Sequence, residues 1–455
     1  MLDITRPRGA CRAAAVLGLL ALWAGGARGD DWPQWLGPRG DSVWRETGIL
    51  DKFPEGGPKV LWRVPLGGGY TGPSVVGKRV YVMDFLRAKG APNPDTPQPR
   101  GVNGTERVLC LDAANGKVLW KHEYPCRYSI GYATGPRCTP VVAGGKVYAL
   151  GAMGDLCCLD AAKGTVVWSK NFVKEFKARV PVWGWSATPL LDGDRLYCVA
   201  GGDGSACVAF DKDSGKVLWK ALTSQEVGYA PTVLATVGGK KQLIVWLSDS
   251  VSGLDPANGK PYWTHPYPAK GPPRRPAVTI ATPRVAGDLL FLNSFYHGSL
   301  VLRLGKGKPT VVWQSKRAPE KADALNTCMT TPFIKGGYVY GIAGAGQLRC
   351  LELKSGEQKW ESLKAATGGQ QTFLATAFLI EQGERFFLFN DQGDLIIAKL
   401  TPKGYEEIDR AHVIATSQEA FGRPVVWSHP AFAGRCAFIR NDKEIICLSL
   451  AAKKQ

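Results

Sequence analysis

A ten-residue phrase, LDAANGKVLW at Leu111–Trp120, recurs along this chain and constrains its fold more than any other feature. It returns as LDAAKGTVVW ending at Trp168, FDKDSGKVLW at Trp219, LDPANGKPYW at Trp263 and, with Glu for Asp, LELKSGEQKW at Trp360. Each copy places a Gly four residues after the acidic residue and a Trp four residues after the Gly, as in Asp112/Gly116/Trp120 and Asp160/Gly164/Trp168. Asn-Gly and Ser-Gly pairs supply the positive φ of a tight turn, and the acidic side chain can accept hydrogen bonds from the turn's own backbone, so each copy reads as a β-hairpin. The Trp falls on the strand after the turn, where its flat ring can cover the next unit. A period of about 40 to 50 residues with four short strands per unit predicts an all-β propeller.

A second marker counts the blades. Gly72-Pro73, Thr139-Pro140, Thr188-Pro189, Ala230-Pro231, Thr282-Pro283, Thr331-Pro332 and His429-Pro430 recur in phase with the first, and Thr376-Ala377 fills the slot between the last two. Proline is tolerated at the first residue of a strand, so these positions should open eight inner strands around a central channel. The outer-strand positions are then Trp62, Trp120, Trp168, Trp219, Trp263, Trp313 and Trp360, expected to dock blade on blade, with Ile408 as the degenerate position of blade 7. Gly305–Lys308 replaces the acidic turn in blade 5.

Lys59–Trp62 repeats Lys117–Trp120, yet no strands of its own unit precede it, and Glu444–Leu450 is followed by no Trp-bearing strand. The expectation is an eight-bladed β-propeller of four-stranded antiparallel blades over residues 59–450, with 59–66 completing the last blade and so removing an open edge. Residues 30–58, with Trp32, Trp35 and Trp44 among Gly and Pro, read as a strap on the main body, and 451–455 as a tail. Phe85–Glu106, crowded by Pro92, Pro94, Pro97 and Pro99, reads as an irregular loop inserted in blade 1, either a functional cover or surface ornament.

Residues 1–29 carry the marks of a signal peptide: Arg6, Arg8 and Arg12 precede the apolar run Ala13–Ala24, and Ala27-Arg28-Gly29 offers small residues before a cleavage point. The run is short for a membrane span, so the mature chain is expected to be exported, periplasmic or envelope-associated, and without a transmembrane segment. The formal net charge is +18, or +15 without the charged residues of the leader. That excess favours acidic partners through long-range steering, although a solvated basic rim accounts for it better, since no basic run longer than two or three residues occurs before Lys453-Lys454. Neither a reading helix nor a basic-aromatic stripe suggests nucleic acid.

The [LF]-D-x-x-x-G-K-x-x-W repeat with N-terminal closure resembles the pyrroloquinoline-quinone (PQQ) repeat family of eight-bladed propellers, and the opening Trp32–Pro38 segment is similar to that of exported PQQ-binding-like β-propeller proteins labelled BamB-like. The family includes PQQ-dependent alcohol dehydrogenases and the non-catalytic outer-membrane assembly lipoprotein BamB. The resemblance implies a monomeric binding scaffold for a protein or cell-envelope partner, with no cofactor. The alternative it implies is a quinoprotein oxidoreductase using PQQ and Ca²⁺, for which Asp203, Asp249, Asn293 and Asp391 are the nameable oxygen ligands. In some such enzymes adjacent cysteines lie beneath the cofactor. Here Cys158 of the Cys157-Cys158 pair occupies the slot that Cys110, Cys350 and Cys447 fill in other repeats, which marks a small core position.

Twelve cysteines, eleven of them after the leader, leave at least one without an intramolecular partner; Cys126 with Cys138 is the preferred disulfide, and Cys198 with Cys207 the second. The five histidines show no metal-ligand spacing, so no metal site is expected. Recognition is expected on the face where the connections into the inner strands and the second-to-third-strand loops emerge. They carry Tyr70, Tyr132, Arg137, Trp183, Trp185, Tyr229, Arg274, Arg275, Trp427 and His429, with Asn326, Gln370, Gln371 and Arg423 beside them. Aromatic and Arg enrichment is what interface anchors need, while Trp183, Trp185 and Trp427 could instead plug the channel.

Overall fold

The computed structural model describes residues 30–91, 101–130, 135–268, 276–315 and 323–453. The leader, Tyr132, Arg274 and Arg275 therefore lie outside the described residues. Eight four-stranded antiparallel sheets follow one another around a ring, joined by a two-stranded hairpin, Gln418–Ala420 with Arg423–Val425, between blades 7 and 8. Blade 3 shows the unit: Leu190–Asp192, Arg195–Val199, Cys207–Asp211 and Val217–Ala221, paired in sequence order. Blade 8 takes Ala431–Ala433, Cys436–Arg440 and Glu444–Ser449 from the C-terminal end, and Val60–Pro65 completes it as the outer strand.

Strand alternation builds the core between blades. In blade 2, Val147, Ala149, Cys157 and Leu159 pack toward blade 1, whereas Tyr148, Leu150, Leu156 and Cys158 pack toward blade 3. Successive side chains point to opposite faces of a strand, so a blade clasped on both sides needs apolar residues at every position of its middle strands.

The repeat motif is the latch between blades. The indole N–H of Trp120 donates to the Ala161 carbonyl of the next blade at 3.1 Å, and Trp62, Trp168, Trp219 and Trp313 donate in the same way to Ala113, Lys212, Pro256 and Leu353, each the residue after the motif's acidic residue. Trp360 donates to Thr401. Trp263 has no acidic turn to meet in blade 5, and it donates instead to the Gln242 side chain of its own blade at 2.7 Å. The motif glycine makes room for the ring: a Cβ on Gly164 would stand 2.4 Å from Trp120, and one on Gly215 2.6 Å from Trp168.

Each outer strand carries a one-residue bulge at the same place, which in most blades sets the Trp directly opposite a small residue on the third strand, Val301 taking that slot against Trp313. Cys110 faces Trp120, Cys158 faces Trp168, Ala209 faces Trp219, Gly253 faces Trp263 and Cys350 faces Trp360. This register corrects the reading of blade 7. Ile408 is the bulged residue there, and Asp409 holds the Trp position, opposite Ile397. The Asp409 carboxylate accepts the backbone N–H of Phe53 at 2.7 Å. Blade 8 has no turn between its last two strands, because its outer strand comes from the other end of the chain, so no turn carbonyl awaits a Trp from blade 7 and the N-terminal segment takes its place.

That segment runs across the first-to-second-strand turns and into the channel. Asp31 accepts the Gly77 N–H, Trp32 exchanges backbone bonds with Val75, and Glu46 accepts the N–H groups of Gly434 and Arg435. Arg284 of blade 5 donates to the Gly40 and Asp41 carbonyls, and Trp44 donates its backbone N–H to Glu381 of blade 7. Blades that are distant in sequence are thus tied through one strap.

The expected irregular stretch of blade 1 is partly ladder. Phe85–Arg87 continue the second strand and pair with Gly104–Glu106, so the blade's hairpin extends outward. Residues 92–100 at its tip lie outside the described residues. Among the described residues no helix is long and apolar enough to cross a membrane.

Candidate functional site

The connections into the inner strands and the second-to-third-strand loops leave a cavity of about 250 Å³ at one mouth of the channel. It gathers Tyr70, Arg137, Trp183, Tyr229 and Trp427 from different blades. Trp183 lies 5.4 Å from the Tyr229 ring, and Trp427 6.1 Å from Tyr70. The Arg137 guanidinium stands 4.8 Å over the Tyr70 ring and donates to the Gly135 carbonyl at 2.7 Å. Arg137 is the one charged residue among the described lining.

Two other expected residues belong to the support beneath. Trp185 is buried, with its indole N–H on the Ala200 carbonyl at 2.9 Å and its ring edge-on to Phe172, so it serves the core of blades 2 and 3. His429 is enclosed by Trp35 at 4.8 Å and Phe378 at 4.9 Å. Its Nδ1 donates to the Pro430 carbonyl at 2.6 Å, and burial pushes its pKa down to about 4, so it is a neutral packing residue. Asn326 is buried and accepts the Gly344 N–H, while Gln370 and Gln371 stand exposed at the rim.

The rest of the lining was missed. Phe295 and Tyr296 sit on the second-to-third-strand loop of blade 5, within reach of the same reasoning that found the others. Trp35 forms part of the lining from the strap, its indole N–H on the Thr282 hydroxyl at 3.0 Å, and no local signal says that a strap will thread a ring. Phe373 and Phe421 are 58% and 56% exposed and meet edge to face at 5.8 Å. Phe421 caps the hairpin between blades 7 and 8, which the repeat does not encode.

Arg423 holds that hairpin in place. It donates to the Phe373 and Leu374 carbonyls and, at 2.6 Å, to the buried Asp391 carboxylate. Asp391 also accepts the Thr376 N–H at 3.0 Å. The remaining oxygen candidates are dispersed: Asp203 and Asp249, on loops of blades 3 and 4, accept the Thr223 and Ser250 hydroxyls, and Asn293, buried in the second strand of blade 5, accepts the Thr327 N–H. Among the described residues no group of three or more His, Cys, Asp or Glu is placed to hold a metal ion. A calcium-bound quinone needs several oxygen ligands converging beside the mouth, and this donor set does not provide them.

The expected disulfides are corrected. Cys126 and Cys138 carry free thiols and lie in separate clusters, Cys126 with Phe85 and Tyr128, Cys138 with Tyr148 and Trp185. Cys198 is opposite Val208 and Cys207 opposite Val199, so the two point to opposite faces of blade 3 and cannot bridge. Cys157 and Cys158, neighbours on one strand, likewise face different blades. Burial raises the Cys158 thiol to about 12, as expected for an inert packing residue.

Comparison with known proteins agrees with this architecture. The family model described as outer membrane protein assembly factor BamB matches residues 104–362, more than half of the chain. The BamB proteins of Yersinia pestis and Salmonella typhimurium are 24% and 29% identical over 216 and 123 residues, which are 45% and 26% of this chain. The aligned parts cover 50% and 29% of those proteins, so the chain spans half or less of these curated relatives. The crystal structure of BamB from Moraxella catarrhalis superposes with a TM-score of 0.52 at 13% identity, covering 86% of this chain and 99% of that one. Quinohemoprotein alcohol dehydrogenase from Comamonas testosteroni gives 0.60 at 12% identity over 93% and 81%. At such identities the superpositions speak for the fold alone, and it is the family match that places the chain. This protein belongs to the outer membrane protein assembly factor BamB family.

Proposed function

We propose that this protein is an exported, non-catalytic binding scaffold of the cell envelope, acting in outer-membrane protein assembly through its channel mouth. The observation that carries the reading is the mouth itself: a concave aromatic surface from several blades, with no described carboxylate on its lining and with Asp391 committed to Arg423 beneath. Such a surface suits recognition, whereas the calcium-dependent reaction of a quinoprotein needs carboxylates facing the substrate. Membership of an assembly-factor family supports the same reading.

The test pairs two measurements on the mature protein. Titration with PQQ and Ca²⁺, followed by tryptophan fluorescence and melting temperature, should leave both unchanged, since a ligand that binds only the folded state must stabilise it. Site-specific photo-cross-linking from the mouth in intact cells should capture envelope proteins. Saturable, metal-dependent stabilisation by PQQ would overturn the scaffold reading in favour of an oxidoreductase.

A further inference from the structure

The mouth does not end at the cavity. Pro181–Trp183 form a wall whose far side faces a second, more open groove of about 690 Å³, to which Lys177, Arg179, Pro181 and Val182 contribute. The two hollows share this wall: Trp183 lines the first, Val182 the second. On the other side of the cavity the exposed Phe373 and Phe421 extend its apolar surface beyond its own volume. A ligand confined to the cavity would touch both rings on one side and leave the rest of their exposed surface in water. An occupant that is long, apolar at one point and continued over the rim would cover them.

Charge narrows the occupant further. Among the described residues the single charged group on the cavity lining is Arg137, and Lys177 and Arg179 are exposed on the adjoining groove. The groove also carries the carboxylates of Asp203, held by the Thr223 hydroxyl, and Glu226, held by the Ala277 N–H at 3.0 Å, so its own charges balance and the local positive excess is Arg137 at the cavity. The chain as a whole carries a net charge of +18. Resting on the scaffold reading above, we infer that the mouth binds an extended segment of a partner polypeptide, which places one large apolar side chain in the cavity between Trp183 and Trp427 and carries acidic residues across the Pro181–Trp183 wall toward Lys177 and Arg179. The cavity selects the apolar side chain, the rim phenylalanines add contact area around it, and the cations set direction and association rate.

The probes are capped five-residue peptides, acetyl-Gly-Phe-Gly-Asp-Asp-amide with versions carrying Ala for the Phe or Lys for both Asp, together with free phenylacetate. Binding is read by tryptophan fluorescence and by calorimetry on the mature protein. The first peptide should bind saturably at millimolar concentration, with each altered peptide weaker by about fivefold or more and with affinity falling as salt rises. The double variant Phe373→Ser, Phe421→Asn changes only exposed residues and keeps a residue tolerant of positive φ at 421; it should weaken the first peptide about fivefold while its melting temperature stays within about 2 °C. Equal binding of the Ala version, no saturation by any peptide, or phenylacetate binding as tightly as the peptide and unaffected by the rim variant would each overturn the inference. Its failure is separable from that of the scaffold reading. If no peptide binds but a photo-reactive residue at Val166, on an outer strand, still captures envelope proteins, the scaffold stands and the mouth is not its docking site.

Discussion

Gly164 shows how little space separates a blade from its neighbour. Its φ is +73°, and a Cβ there would meet the Trp120 ring at 2.4 Å; Gly144, at φ +55°, has nothing within 4 Å. Gly164→Ala should therefore cost about 2–3 kcal/mol, from strain plus displacement of the ring, and Gly144→Ala about 1 kcal/mol, from strain alone, as read by the denaturant midpoint. Glu106 decides a pH dependence. It is wholly buried between blades 1 and 2, takes hydroxyl hydrogen bonds from Tyr124 at 2.7 Å and from Tyr128, and its pKa is pushed from 4.5 up to about 7, chiefly by burial away from water and against the pull of those two bonds. A carboxyl that keeps its proton in the folded state favours folding fully below pH 4.5 and progressively less as pH rises to 7. The stabilisation lost across that window is on the order of 3 kcal/mol. Asp442, raised to about 6 by burial, acts in the same direction, whereas neutral His429, lowered to about 4, works against folding as pH falls below 6.5. Comparing chemical denaturation of the wild type and Glu106→Gln between pH 4.5 and 7 isolates the first contribution: the variant should lose that part of the slope, and identical slopes would contradict it.

Among the elements, the hairpin between blades 7 and 8 depends most on a single pair. Arg423 is 16% exposed and the Asp391 side chain not at all, and their 2.6 Å bond joins the hairpin to the second-to-third-strand turn of blade 7, while the same guanidinium holds the loop that carries Phe373 through the Phe373 and Leu374 carbonyls. Asp391→Ala leaves that guanidinium without its carboxylate and should cost about 3 kcal/mol, with a change in the emission of Trp427, whose indole N–H also reaches Asp391 at 3.4 Å. The variant's urea midpoint and emission spectrum check both. The outer strands illustrate an opposite economy, in which one bulge repeated from blade to blade fixes the Trp over a Cys, Ala or Gly, or over Val301 in blade 5. The cysteines were legible as small core residues from their recurrence at that slot. Their pairing was not legible, because strand neighbours such as Cys198 and Cys207 can share a hairpin and still face opposite sides.

At the scale of the whole molecule, the ring is closed by one strand. Val60–Pro65 pairs with Glu444–Ser449, and Trp62 latches blade 8 to blade 1 through Ala113. Deleting Lys59–Pro65 should expose a sheet edge, lower the melting temperature and broaden the transition; an unchanged melting curve would contradict closure. The described cysteines are all free, so reductant should leave the melting temperature where it is. The amino-acid sequence by itself determined the blade count, the antiparallel unit, the latch and the borrowed strand, because each rests on a local pattern repeated in phase, and repetition makes weak turn and strand preferences additive. Only the tertiary structure decided that Trp35 reaches the mouth from a strap, that Asp409 takes the Trp position of blade 7, that Trp185 and His429 lie under the surface, and that Phe373 and Phe421 complete it. Those facts depend on contacts between segments hundreds of residues apart, such as Trp35 with Thr282 or Phe53 with Asp409, and no local pattern records which distant backbone group will satisfy a given side chain.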